Sequence, residues 1–298
     1  MLSTTSIFSK HIGRPLALQQ QPLPRSIQRR SMGMWPKVRP KRVRVITCDV
    51  TGTLVSFRGT LEEHYLGSAR KCGVDISPDV PIGKAFNKAY EEVCGLHPCF
   101  GGSNISGKDW WKLCVSKSFE YAGVDSMSEE QKERVFQRIF SAFGSLKAYE
   151  KFGDTLPFLH FAARHNIVMG VLSNADERYR DSILPMLGVT DDELHFQCFS
   201  KDVSIEKPDP RFFAEAMKAA EPHLKDPSDP LKPSHCLHIG NDYAKDFSGA
   251  RRAGWHAILL NRYGEQEKAA EWKRRGATTL DDLMDVVLWL GQSGCKLG

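Results

Sequence analysis

No apolar run in this sequence approaches the roughly 18 residues that would read as a membrane-spanning helix. Its longest apolar stretches, Ile167 to Ser173 and Val286 to Leu290, have the length of a core strand or a helix face. The eight cysteines have neither the paired spacing of a zinc site nor the density of a disulfide scaffold. Cys94 and Cys99 have four residues between them and no second pair follows at finger-like distance, so reduced core thiols are expected. Acidic residues are missing entirely from positions 1–48, which carry ten Lys or Arg. The remainder holds 31 basic against 36 acidic residues, a net charge of −5, so the formal +5 of the whole chain lies in its leader. A basic overall balance is therefore no sign of nucleic-acid binding.

What is present reads as an enzyme-sized body behind that leader. With 298 residues the chain can bury a large core, and 41% hydrophobic with 26% charged residues is ordinary for a globular protein. Residues 1–40 are acid-free, Arg-bearing and weakly amphipathic around Ile7, Phe8 and Ile12, without the apolar block of a secretory signal. That composition predicts a transit peptide, with a mitochondrial or other organellar destination. The alternative is a basic arm retained on a cytoplasmic protein.

The body alternates short apolar runs with helical patterns, as a parallel sheet with crossover helices does. Strands are expected at Val43 to Cys48, Ile167 to Ser173, Gln197 to Ser200, Cys236 to Ile239 and His256 to Leu260, with helices at Ala175 to Leu187, Pro210 to Ala220 and Lys245 to Ala253. Asp209 is placed to cap the Pro210 helix, with proline at its first position. Between the first two strands the alternation stops. Helical patterns recur at Leu61 to Lys71, Ile82 to Cys94, Lys108 to Ala122 and Glu129 to Phe143, interrupted by the turn-rich "GLHPCFGGSNISGKD". The expected fold is α/β: a Rossmann-like parallel sheet core, residues 41–58 and 146–298, with an all-helical cap at 59–145 inserted after the first strand. Beyond Arg262, "LDDLMDVVLWL" reads as a peripheral helix with one apolar face.

Polar residues gather at the predicted strand ends. Asp49 follows the first, Ser173 ends the second, Lys207 precedes the Pro210 helix, and "GNDYAKD" from Gly240 to Asp246 follows the fourth. Groups at the carboxyl ends of an open parallel sheet converge on one crevice. A carboxylate, a hydroxyl, an ammonium and further acids suit phosphoryl transfer: a nucleophile, phosphate ligands, and carboxylates for a divalent ion. His235, Cys236 and His238 look metal-like, but residues three apart in a strand face opposite ways, so structural histidines are the better reading.

In that order and context, "CDVTGTLVSF", Ser173, the Lys207-Pro208 pair and "GNDYAKD" resemble the haloacid dehalogenase-like hydrolase superfamily over about residues 43 to 265. "DVTGTL", "PCFGGSNISGKDWW" and "HIGNDYAKDFSGARRAG" are similar, within it, to the group of dehalogenase-like hydrolase domain-containing protein 3 and the rhythmically expressed gene 2 product of insects. The resemblance implies a covalent aspartyl-phosphate mechanism with Mg²⁺. Asp49 would be the nucleophile, and with the Thr51 carbonyl, Asp242 and Asp246 it would hold the metal. Ser173, Asn174 and Lys207 would hold the phosphoryl group of a small phosphorylated substrate. Two departures stand out: Gly240 is followed by Asn241 rather than Asp, and Thr51 stands where superfamily phosphatases carry the Asp that protonates the leaving group.

An alcohol does not ionise near neutral pH, so Thr51 cannot act as that acid. Three readings follow: a slow or narrow Mg²⁺-dependent phosphatase, a binding or regulatory protein with weakened catalysis, and a haloacid dehalogenase. Nucleic acid and membrane insertion are not expected, and the sequence assigns no oligomeric state. A fluorescent reporter fused behind residues 1–40 is expected to concentrate in mitochondria or another organelle. A diffuse cytosolic signal would end the targeting reading.

Overall fold

A computed structural model describes residues 40–292 and 294–298, so the expected leader lies, but for its last residue, outside the described residues. Ten strands are described: β1 (Arg42–Val43), β2 (Val45–Cys48), β3 (Val55–Phe57), β4 (Tyr149–Lys151), β5 (Val168–Ser173), β6 (Phe196–Phe199), β7 (Cys236–Gly240), β8 (His256–Leu260), β9 (Thr278–Leu280) and β10 (Lys296–Leu297). Six of them form one parallel sheet in the order β6-β5-β2-β7-β8-β9. β2 is central and fully buried, and β5 pairs with it through Val45 to Val168 and Cys48 to Val171. Buried on both faces, such strands read as continuous apolar runs rather than alternating ones, which is why Val168 to Ser173 was visible in the sequence.

The helices are α1 (Leu61–Lys71), α2 (Ile82–Leu96), α3 (Gly107–Tyr121), α4 (Glu129–Ala142), α5 (Thr155–Arg164), α6 (Leu184–Met186), α7 (Ser200–Val203), α8 (Pro210–Ala220), α9 (Gly249–Arg252), α10 (Gln266–Arg274) and α11 (Leu283–Gln292). The first four make an all-helical cap inserted into the Rossmann-like core. Local signals start them cleanly. Thr60 and Ser128 each form a capping box, with Glu63 and Gln131 three residues on, and Ser106 caps α3 through the Asp109 amide. An aromatic cluster packs them: Tyr65 lies 5.7 Å from Phe86 and 5.9 Å from Phe119, all three buried.

Several elements depart from the sequence reading. The insertion does not follow the first strand directly. A short antiparallel pair, β3 with β4, forms its two-stranded base, and three residues per strand are too few for periodicity to register. The expected helix from Ala175 is absent until Tyr179, where a wide helical turn runs to Ile183 and into α6. Asp176 explains this, because its carboxylate accepts from the Arg178 amide and guanidinium, offering the backbone an alternative to a helical start. The helix expected from Lys245 begins instead at Tyr243, as a wide turn capped by Asp242 that continues into α9. Ser200 belongs to α7 rather than to the β6 strand. Asp209 does cap α8, with Pro210 first, and α11 buries Leu283, Val286, Trp289 and Leu290 as one face. No described helix is long and apolar enough to cross a membrane.

Cap and core touch on both sides of the crevice between them. The Lys201 ammonium of α7 donates to the carbonyls of Phe100, Gly102 and Ile105, in the loop joining α2 to α3. Cys99 and Phe100 adopt positive φ there, 53° and 55°, a conformation side chains rarely tolerate without such fixing. Across from it, the Trp111 indole of α3 donates to Asp176 of the core.

Candidate active site

The carboxyl end of β2 ends in a tight turn that explains "DVTGTL". The Val50 carbonyl accepts from Leu54 and Val55 at 2.9 and 3.1 Å, and the Gly52 amide bonds the Val55 carbonyl. Gly52 has φ +78°, and a Cβ there would lie 1.9 Å from the Asn241 side chain, so glycine is required for conformation and for space. The Asp49 amide is fixed to the Ile239 carbonyl of β7 at 2.8 Å. Its carboxylate thus stands over the centre of the sheet.

Around it the strand ends converge. Asp49 Oδ1 accepts from Ser173 Oγ and from Lys207 Nζ, both at 2.8 Å. The Lys207 ammonium is 2% exposed and donates three bonds: to Asp49, to Asp246 Oδ1 at 2.7 Å and to the Leu172 carbonyl at 2.8 Å. An ammonium removed from water needs every proton accepted, and here each one is. Asn174 holds the Lys207 main chain from both sides, accepting from its amide at 2.7 Å and donating to its carbonyl at 2.8 Å. Its side chain positions Lys207, and the residue also borders the crevice.

Asp246 is the other anchor. Oδ2 accepts the amides of Asn241 and Asp242 at 2.9 Å each, while Oδ1 takes Lys207 and His238. A Cβ on Gly240 would lie 2.2 Å from the Asp246 carboxyl carbon, so glycine there makes room for the acid. Burial opposes ionisation of Asp246, but Lys207 and His238 outweigh it and hold its carboxyl well below the usual range. Burial likewise works against the charge on Lys207, yet its two carboxylate partners raise it above the ordinary lysine value. His238 is pushed down by burial and is neutral at pH 7. Because Asp246 can only accept, the Nε2 of His238 carries the proton, and Nδ1 accepts from the Thr47 hydroxyl at 2.8 Å. The histidine is structural, as expected, but it belongs to the site's support.

Thr51 lies beside Asp49 with its hydroxyl bonded to Tyr179 Oη at 2.8 Å, which in turn meets Tyr149 Oη at 3.2 Å. Burial raises the tyrosine hydroxyls above their ordinary value, so this chain of three hydroxyls holds no acid that titrates near neutral pH. Tyr149 and Tyr179 carry no sequence signal. One follows the cap, the other sits in an irregular turn, and only folding brings them to Thr51.

The residues left for a cation are oxygen-rich. Asp49 Oδ2 has no hydrogen-bond partner among the described residues, and the Asn241 amide group and Asp242 border the same cavity. Asp242 Oδ1 caps the following turn by accepting from Lys245, leaving its second oxygen open among the described residues. One open carboxylate oxygen beside an amide and a second carboxylate fits a hard divalent ion. Asp246, with both oxygens already engaged, is the least open of the expected ligands. Among the described residues no three His, Cys, Asp or Glu side chains gather closely enough to hold a metal by themselves.

The crevice is a cavity of about 490 Å³, bordered by Asp49, Ser173, Lys207 and Asn241 on the core side and by cap residues opposite. Asp49 and Ser173 from the ends of β2 and β5, Lys207 from the loop between α7 and α8, and Asp246 beyond β7 meet beneath the inserted helical cap. A family model for haloacid dehalogenase-like hydrolases matches residues 43–254. The chain belongs to the haloacid dehalogenase-like hydrolase family. It is 29% identical over 220 residues to haloacid dehalogenase-like hydrolase domain-containing protein 3 of Mus musculus, covering 74% of this chain and 82% of that protein. It is 27% identical over 245 residues to the rhythmically expressed gene 2 protein of Drosophila melanogaster, covering 75% and 88%. Among solved structures, a HAD phosphatase from Thermococcus onnurineus matches with TM-score 0.50 at 19% identity, covering 86% of this chain and all of that one. A 2-haloacid dehalogenase from Pseudomonas syringae matches with TM-score 0.56 at 19% identity, covering 84% and 99%. At these identities the structural likeness speaks to the fold, which phosphatases and dehalogenases of the family share.

Asp246→Asn tests the buried triad. The substitution is expected to destabilise the protein by about 3–5 kcal/mol at pH 7, since it leaves Lys207 with one carboxylate fewer. A group with a depressed folded pKa contributes stability above its unfolded value and loses it as pH falls. Urea denaturation of the wild type should therefore weaken below about pH 4, the ordinary Asp range, with a shallower acid-side slope in Asp246→Asn. Equal slopes would show that Asp246 is not held ionised by the fold.

Proposed function

We propose that the chain is a Mg²⁺-dependent phosphatase that acts on a small phosphorylated metabolite through an aspartyl-phosphate on Asp49. The observation that carries this reading is the Asp49 carboxylate at the cavity: one oxygen is held by Ser173 and Lys207, and the other has no hydrogen-bond partner among the described residues. One carboxylate oxygen attacks phosphorus, leaving the other for a cation, the bond to the leaving oxygen breaks, and water later cleaves the acyl phosphate to return the carboxylate. Ser173 and Lys207 are placed to steady the phosphoryl oxygens. Asp49 and the Thr51 carbonyl, with Asn241 and Asp242 beside them, would hold Mg²⁺, which when bound balances the charge of carboxylate and phosphate. Asp246 supports the site through Lys207.

Thr51 sets the expected rate. General acid–base catalysis is typically worth about 10² to 10⁴ in rate, and the Thr51–Tyr179–Tyr149 hydroxyls offer no group tuned for it. Turnover should be slow, or confined to leaving groups that depart unaided. The same residue favours a second reading, a regulatory protein that binds a phosphorylated ligand and hardly turns it over. Dehalogenation of a haloacid fits less well, because a monoanionic substrate has less need of the Lys207 ammonium and the adjoining acids. Delivery of this activity to the mitochondrion by the leader is part of the same proposal.

The purified full chain is expected to hydrolyse 4-nitrophenyl phosphate with Mg²⁺, to lose activity to a chelator, and to lose it fully in Asp49→Asn. Absence of any Asp49-dependent turnover, of phosphates or of 2-chloropropionate, would favour the regulatory protein. Thr51→Asp is expected to raise kcat on alkyl phosphates by about 10²-fold. Unchanged turnover there would mean that a missing acid does not limit the rate.

A further inference from the structure

The wall of the cavity opposite Asp49 has a composition of its own. Every residue that the cap contributes to it is aromatic or aliphatic, with Tyr65, Tyr90, Phe100, Trp111, Phe136, Phe140 and Phe143 supplying the rings. The rings meet in groups: Phe100 lies 6.0 Å and Tyr90 6.2 Å from Trp111, Phe136 5.4 Å from Phe140, and Tyr65 6.4 Å from Phe143. The one cation among them, Arg178, comes from the core and is not free. It is held by Asp176 through two nitrogens, 2.8 Å at the shortest, and lies over the rings of Trp111 and Phe140 at 5.0 and 4.6 Å. The Trp111 indole N–H is also taken by Asp176. At the other end of the cavity Lys268 pairs with Glu265 and Arg275 with Glu271 on partly exposed surface, and Lys245 borders it on the core side, near Asp49.

Such a wall offers almost nothing to a polyhydroxylated leaving group. The hydroxyls of a sugar or glycerol phosphate would enter it without partners, whereas a flat ring would find stacking surface on several sides. The chemistry at Thr51 points the same way independently. A phenol, with a pKa of about 10, is a far better leaving group than an aliphatic alcohol and departs as phenolate without a proton donor.

We propose that the substrate of this site is an aryl phosphate monoester, its uncharged aromatic group lodged against the cap rings and its phosphate at Asp49. The assignment deepens the phosphatase reading and rests on it for turnover, though not for recognition. An Asp49 oxygen forms a bond to phosphorus as the phosphorus–oxygen bond to the ring breaks. The electron pair leaves on the phenolate, which takes a proton from solvent, and water then splits the acyl phosphate to inorganic phosphate and free carboxylate. No further reactant is needed.

The test uses the full chain with Mg²⁺ and four substrates: 1-naphthyl phosphate, phenyl phosphate, acetyl phosphate and glycerol 3-phosphate. Acetyl phosphate has a good leaving group without a ring, so it separates leaving-group chemistry from recognition. The expected order of kcat/KM is naphthyl above phenyl, phenyl above acetyl, and glycerol 3-phosphate at least about 10²-fold below phenyl. Glycerol 3-phosphate within tenfold of phenyl phosphate, or acetyl phosphate matching naphthyl, would overturn the aromatic assignment while leaving a phosphatase in place. Binding is measured alongside on 1-naphthylmethylphosphonate and methylphosphonate, which need no turnover. The naphthyl compound is expected to bind at least tenfold more tightly, and Phe140→Leu to weaken it several-fold. Equal affinity for the two phosphonates would overturn the assignment, and a naphthyl preference without any hydrolysis would uphold it while removing the phosphatase reading.

Discussion

A lysine ammonium sealed from water between two carboxylates is the constraint on which the rest of this site depends. Lys207 has three protons to place, and the fold supplies Asp49, Asp246 and the Leu172 carbonyl for them. Removing a charge from water costs several kcal/mol unless its partners are well placed, so each of those acceptors must itself be held. The neighbourhood follows from that need. Asn174 pins the main chain of Lys207, Gly240 clears space for Asp246, two backbone amides and a neutral His238 fix the far side of Asp246, and Thr47 orients the histidine. A network whose members are all satisfied is rigid. Rigidity here leaves one oxygen of Asp49 as the open group.

Above this polar floor sits an apolar roof. The cap is held to the core by Lys201 at the Phe100 loop and by the Trp111–Asp176 bond, both contacts made by polar groups at the margins. Its inner side is left to aromatic rings. In the proposed phosphatase, floor and roof would divide the work: charge and hydrogen bonds for the phosphate end of the substrate, ring surface for the remainder. Thr51 lies at the junction of the two, turned to Tyr179 instead of presenting an acid.

Much of this was legible in the order of residues. Asp49, Ser173 and Lys207 each follow or flank a recognisable apolar run, and strand ends in a parallel sheet must share one edge, so their meeting could be inferred without coordinates. The four cap helices announced themselves through their period. Less visible were β3 with β4 and the edge strand β9, each too short for periodicity to register, and the starts of the two wide turns, one delayed by the Asp176 carboxylate and the other begun early by the Asp242 cap.

The sequence by itself determined the class of the fold, the carboxylate that follows the first long strand and the absence of an acid two residues beyond it, because hydrophobic pattern and residue chemistry are local properties. Only the tertiary structure decided how Asp246 divides its oxygens, that Asn174 faces Lys207, that two tyrosines reach Thr51, and that the cap turns rings towards the crevice. Most of those are contacts between residues 30 to 160 positions apart, such as Tyr149 with Tyr179 and Asp49 with Lys207. Each depends on where whole elements come to rest when the core packs, which no neighbouring residue encodes.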